Sequence, residues 1–142
     1  MINTQEYFLA NGLKVILKDV PNSTVSSVFI WVKTGSAYED DYERGLAHVH
    51  EHMIFKGTSK LGVGEISKKI ESYGGDVNAF TSFDETAYYA TVSNDFVPQV
   101  LDIFSQCMYD ATFDSEELSK ELEVILEEIK RGNDSPSNRL WD

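Results

Sequence analysis

Residues 46–53 read Leu-Ala-His-Val-His-Glu-His-Met and contain all three histidines of the chain beside a glutamate. A hydrolytic zinc site uses these residue types: three protein ligands and one water, whose pKa falls to about 7, with a nearby base to take the proton. If the stretch is helical, each residue turns by about 100°. His48 and His52 then project about 40° apart and one turn along, where they can share one ligand, and Glu51 falls on the same side. His50 projects about 160° from both and cannot join them without breaking the helix. The order His-x-x-Glu-His is an inverted zinc motif. A match this short is equally compatible with a histidine-bearing amphipathic helix that binds no metal, so a third ligand is needed.

A second helical stretch, about 115–131, supplies candidates. With Leu118 as origin, Leu122, Ile125 and Ile129 project within about 40° of it and define an apolar stripe expected to be buried. Glu123, Glu127, Lys120 and Lys130 project to the far side. Glu121 and Glu128 project at about 300° and 280°, inside the apolar arc. A buried carboxylate must be neutralised, paired or bound to a cation. The two lie about 10 Å apart along the axis, too far for both to grip one ion. One is therefore a ligand candidate and the other a supporting or substrate-facing group. The spacing does not say which.

The elements that must carry these residues can be read from the pattern. Residues 6–9 and 13–18 flank Asn11-Gly12, the preferred two-residue hairpin turn, and 24–33 forms a longer strand rich in β-branched and aromatic residues. A polar loop over 35–44 leads into the histidine helix, which Gly57 is expected to close. A further helix spans about 64–73 and stops at Gly74-Gly75. Strands at 76–82 and 86–92 follow, then a helix over 95–109 with Phe96, Val100, Ile103, Phe104 and Cys107 on one stripe. Cys107 reads as a small core hydrophobe. Asp114 or Ser115 caps the last helix, Gly132 ends it, and 133–142 reads as loop. These elements imply one α+β domain over residues 1–142, an antiparallel-rich mixed sheet packed against helices.

The chain has 142 residues, with 24 acidic against 12 basic side chains and a formal charge of -12. That balance argues against nucleic acid or anionic lipid as a partner. One cysteine cannot form an internal disulfide, the first residues lack a signal-peptide pattern, and no apolar run is long enough to span a bilayer. The sequence reading is a cytoplasmic protein with no membrane partner.

Three stretches carry a resemblance. Gly45-Leu46-Ala47-His48-Val49-His50-Glu51-His52-Met53-Ile54-Phe55-Lys56-Gly57-Thr58 resembles the signature of the M16 zinc metallopeptidases, the pitrilysin and mitochondrial processing peptidase family. Gly74-Gly75-Asp76-Val77-Asn78-Ala79-Phe80-Thr81-Ser82 with Thr86-Ala87-Tyr88-Tyr89 resembles the strand pair beside that family's active site, and Glu121 to Ile129 resembles its distal-ligand helix. The motifs occur in family order and span essentially the whole chain.

The resemblance implies a partial M16-type domain, of the kind shared by mitochondrial processing peptidase and S-ribosylhomocysteine lyase, holding one zinc ion. His48, His52 and Glu128, the last 76 positions after His52, would be its ligands. Glu51 would be the general base and Glu121 a supporting acidic residue. A peptide or unfolded polypeptide substrate would add as a strand beside Asn78 and Ala79.

The chain departs from the family pattern in two places. His50 stands where the family usually has an apolar residue, and it is assigned no catalytic role. The chain is also shorter than a first M16 domain, so it is expected to be an N-terminal fragment whose C-terminal partner domains are missing. As such it should bind about one zinc with little or no peptidase activity of its own. An unpaired sheet edge would also favour a homodimer. Alternatives are a non-catalytic M16-like assembly or substrate-binding subunit, an S-ribosylhomocysteine lyase, whose distal ligand is a cysteine, and a metal-free binding domain.

Overall fold

Asn11-Gly12 does turn the chain, but not in the expected way. In the structure, a computed structural model that describes residues 3–134, β1 (Asn3–Phe8) pairs antiparallel with β2 (Lys14–Asp19). Leu9 N–H donates to the Leu13 carbonyl and Gly12 N–H to the Leu9 carbonyl, both at 2.9 Å, while Gly12 has φ +86°. The loop therefore has three residues and closes on a glycine bulge, because Asn11 does not take the positive φ that a two-residue Asn-Gly turn requires.

Three strands form the main sheet: β3 (Val25–Val32), β4 (Asp76–Thr81) and β5 (Thr86–Ser93), in the order β3-β5-β4. Both pairings are antiparallel, with Val28 opposite Ala90 and Asn78 opposite Tyr89. All described strand pairs are thus antiparallel, and the hairpin forms a sheet of its own. β5 is central, so β3 and β4 each keep one edge unpaired among the described residues.

One face of the main sheet is covered by α1 (Leu46–Met53), α2 (Glu65–Ser72) and α3 (Val97–Asp110). Alternate β5 residues Tyr88, Ala90 and Val92 point into this layer and meet Ile66 and Ile70, one turn apart on α2. From α3 come Val100, Ile103, Phe104 and Cys107, the i, i+3, i+4, i+7 stripe of a helix with one apolar side. The opposite face of the sheet carries an aromatic row: Phe29 stacks on Tyr89 at 4.9 Å between centroids, and Trp31 meets Phe80 edge-on at 5.7 Å. Phe29 and Trp31 remain exposed there.

The last helix, α4 (Ser115–Asp134), starts where Asp114 Oδ1 accepts the N–H groups of Glu116 and Glu117 at 2.9 and 3.0 Å. It passes through Gly132 to Asp134, so that glycine does not end it. Likewise α1 stops at Met53, four residues before Gly57. The apolar stripe of α4 is only partly buried. Ile125 is 6% exposed, but Leu122 and Ile129 are 42% and 52% exposed. Periodicity identifies which side of a helix is apolar; it does not supply the neighbour that would cover it. The sequence positions beyond 134, including most of the expected terminal loop, lie outside the described residues.

Burial pushes the Cys107 thiol up to about 11, against an ordinary cysteine value near 8.5. The folded chain therefore holds this proton more tightly than the unfolded chain. That contribution to stability is complete below about pH 8.5 and is lost as pH rises towards 11. We expect no reaction with a disulfide reagent at pH 8 until denaturant unfolds the chain, as followed by thiol titration.

Candidate metal centre

The histidine helix is held in place by the loop before it. Gly35 packs so tightly on the β4–β5 connection that a Cβ there would lie 2.2 Å from the Ser82 carbonyl. Ser36 N–H and Ala37 N–H donate to the carbonyls of Ser82 and Phe83. From this anchored loop Glu39 reaches the start of α1, where its two oxygens accept Gly45 N–H and Ala47 N–H, each at 2.7 Å. Gly45, with φ +91°, offers no side chain for this purpose. A carboxylate from outside the helix thus satisfies orphan N–H groups and faces the positive end of the helix dipole.

On α1, His48 and His52 lie one turn apart, and their Nε2 atoms are 3.2 Å from each other. Glu128 Oε2, from α4, is 3.8 Å from His48 Nε2 and 3.5 Å from His52 Nε2. The three ligand atoms all lie within 4.8 Å of one another. Around a tetrahedral zinc with bonds of about 2.0–2.1 Å, neighbouring ligand atoms are about 3.4 Å apart. The observed triangle fits that size.

Proton bookkeeping points the same way. His52 Nδ1 lies 3.0 Å from Glu121 Oε2, and an ionised carboxylate can only accept, so Nδ1 carries the hydrogen. With the hydrogen on Nδ1 alone, Nε2 of His52 offers a lone pair towards Glu128 Oε2 and towards His48 Nε2, which either donates to it or, as the other tautomer, offers a lone pair as well. In the second form all three atoms are electron-rich. Such a set of electron-rich atoms is what a cation stabilises.

The two candidate carboxylates of α4 have separate environments. Glu121 is 8% exposed and is gripped by Lys56 Nζ through its Oε1 while Oε2 takes His52. Burial by itself would raise its pKa, but the hydrogen bonds from Lys56 and His52 outweigh it and hold the carboxyl below the usual range. Glu128, expected inside the apolar arc, has a side chain 41% exposed, because the side of α4 it occupies faces the histidines and open solvent. Glu121 is therefore the buried, paired carboxylate and Glu128 the one that meets both Nε2 atoms.

Glu51 is half-buried, and its Oε2 accepts a hydrogen bond from the Thr81 hydroxyl at the end of β4, at 2.5 Å. His50 points away from the cluster. Its Nδ1 shares a hydrogen bond with Tyr88 Oη at 2.9 Å, its ring lies against Phe113, and burial lowers its pKa. Burial, and secondarily the Glu51 charge, push the Tyr88 hydroxyl up to about 12. Asn78 and Ala79 sit in the middle of β4, and Ala79 N–H donates to Asn78 Oδ1 at 2.9 Å.

Sequence reasoning missed Glu39, Lys56 and Thr81. Glu39 and Thr81 act across chain separations with no motif spacing. Lys56 lies four residues after His52, but beyond the end of the helix, where periodicity carries no information.

Comparison with known proteins gives the family. Residues 14–142 match the family Insulinase (Peptidase family M16). The chain belongs to peptidase family M16. Among its M16 relatives, a zinc protease of Bacillus subtilis, YmxG, is 38% identical over 138 residues, covering 97% of this chain and 34% of that protein. A probable mitochondrial-processing peptidase subunit beta of Arabidopsis thaliana is 38% identical over 122 residues, covering 86% of this chain and 23% of the relative. The crystal structure of a protease from Helicobacter pylori superposes with a TM-score of 0.92 at 32% identity, over 99% of this chain and 34% of the other. The chain thus spans about a third or less of the length of these M16 relatives.

Glu39→Ala should destabilise the chain by about 1 kcal/mol, because two N–H groups at the start of α1 lose their acceptor. Glu39→Gln, which keeps one acceptor oxygen without the charge, should recover part of the loss. Urea denaturation of the three proteins checks the order.

Proposed function

We propose that this chain is the zinc-binding portion of an M16 endopeptidase, with His48, His52 and Glu128 as the ligands of one zinc ion. The observation that carries the reading is the convergence of His48 Nε2, His52 Nε2 and Glu128 Oε2 within 4.8 Å. Relatives named as zinc proteases support the choice of metal. Zinc, when bound, acidifies a water and polarises a peptide carbonyl.

Glu51 is the general base in this reading. Thr81 engages one of its oxygens, which leaves the other to take a proton from the attacking water and return it to the departing amine. Glu121 fixes the tautomer and orientation of His52 without touching substrate. The free edge of β4, containing Asn78 and Ala79, takes an extended segment of a peptide or unfolded polypeptide by main-chain pairing. An added strand would lie beside Thr81, and so next to the base that Thr81 engages. The same strand carries the peptide and restrains the general base.

Turnover by this chain alone is proposed to be low. Among the described residues β4 pairs only with β5, so a peptide bound at its edge is held from one side, and the chain covers only 34% of its zinc-protease relative. No helix among the described residues is long and apolar enough to cross a membrane. The cytoplasmic location is proposed from the sequence reading alone.

Metal analysis of purified variants tests the ligand set. Glu51→Gln should keep about one zinc per chain, whereas Glu128→Gln should lose most of it. Full retention by Glu128→Gln would remove Glu128 from the ligand set.

A further inference from the structure

Among the described residues, Lys56 is the one lysine or arginine that contacts the buried carboxylate beside the candidate metal cluster. It stands just past α1, where Lys56 N–H donates to the Met53 carbonyl at 3.0 Å, a turn that continues the direction of the helix. Its side chain is 30% exposed, while that of Glu121 is 11% exposed. The Nζ grips Glu121 Oε1, and the other oxygen of the same carboxylate lies 3.0 Å from His52 Nδ1. His52 in turn presents Nε2 to His48 Nε2 at 3.2 Å and to Glu128 Oε2 at 3.5 Å.

A carboxylate held at one oxygen only can swing about its terminal torsion, which is a soft rotation. Held at both oxygens by groups on opposite sides, it has one orientation. From this we infer that Lys56 is a positioning residue: by anchoring Glu121 it aims the second oxygen at His52 Nδ1–H and so directs the His52 Nε2 lone pair into the ligand triangle. The inference rests on the zinc reading of that triangle and extends it to a residue that touches neither ligand atom nor substrate.

The three groups also join two elements. Lys56 and His52 belong to α1 and the turn after it, and Glu121 to α4, two helical turns before Glu128 on the same helix. The Lys56–Glu121–His52 chain therefore sets the histidine ring and the axial position of the helix that delivers Glu128. A purely packing role for Lys56 would do neither, since its stem could be replaced by an apolar one of similar length.

Methionine preserves that stem and removes the charge. The test measures zinc affinity by competition with a chromophoric chelator for the unchanged chain, Lys56→Met, Lys56→Arg, Glu121→Gln and the Lys56→Met/Glu121→Gln double variant. The His52 tautomer is read by nitrogen NMR on each metal-free protein. Lys56→Met should weaken zinc binding about tenfold, at the lower end of the range for groups that support a ligand, and His52 should lose its fixed Nδ1–H form. Lys56→Arg should remain close to the unchanged chain. In the Glu121→Gln background, Lys56→Met should have little further effect, because the route through Glu121 is already cut.

Unchanged zinc affinity and tautomer in Lys56→Met would overturn the inference, as would a loss of equal size in the Glu121→Gln background. Should Lys56→Met fail to fold by circular dichroism, Lys56→Gln is read by the same criteria. Glu128→Gln separates the two claims. If it loses zinc while Lys56→Met does not, the metal site stands and the Lys56 role falls; if it keeps zinc, the site itself is wrong.

Discussion

Two imidazole nitrogens and a carboxylate oxygen meet here at separations of 3.2, 3.5 and 3.8 Å, and the arrangement of the helices serves to hold them there. Either a hydrogen shared between the two Nε2 atoms or a bound cation can hold such atoms together, since lone pairs and negative charge by themselves repel. The histidine pair comes at little cost, because an i, i+4 spacing on one helix brings the rings together. The expensive step is delivering Glu128 from α4, whose only substantial neighbour among the named elements is α1. The junction between α4 and the α1 region is consequently polar in part, through the hydrogen bonds that Lys56 and His52 make with Glu121.

Each site residue is tied to an element with a firmer anchor. The start of α1 is fixed by Glu39, whose loop is fastened to the β4–β5 connection. Glu51 is tied to β4 through Thr81, and the far side of α1 is tied to β5 through His50 and Tyr88. β5 is the buried strand against which α2 and α3 pack their apolar stripes. The covered face of the sheet therefore supplies the stability, while the groups with chemistry sit at its β4 margin, where an edge strand and the cluster are both accessible. An edge strand is a hazard in most proteins, but in the proposed peptidase reading it is also a place for an extended peptide to pair.

Much of this was legible in the chain. The strand and helix positions fall within a few residues of those read from periodicity, and the opposite orientations of His50 and its two neighbours followed from helical geometry alone. Cys107 lies in the core, as its stripe indicated. The failures have physical causes. The Asn11-Gly12 loop gained a residue because Asn11 keeps negative φ. α4 continues through Gly132 because a glycine weakens a helix without forbidding it. Leu122 and Ile129 stay exposed because an apolar side is buried only where something packs on it.

The sequence by itself determined which side chains could do chemistry and which of them share a helix, since residue type and a 3.6-residue period are local properties. It narrowed the candidates for a third ligand to Glu121 and Glu128, and only the resemblance to the M16 family distinguished them at that level. The tertiary structure decided how the two carboxylates divide, with Glu121 buried against His52 Nδ1 and Lys56, and Glu128 turned to the two Nε2 atoms. It also brought in Glu39, Lys56 and Thr81, which no spacing could nominate. Their partners lie on other elements, and contact across a fold depends on how those elements pack rather than on their separation along the chain.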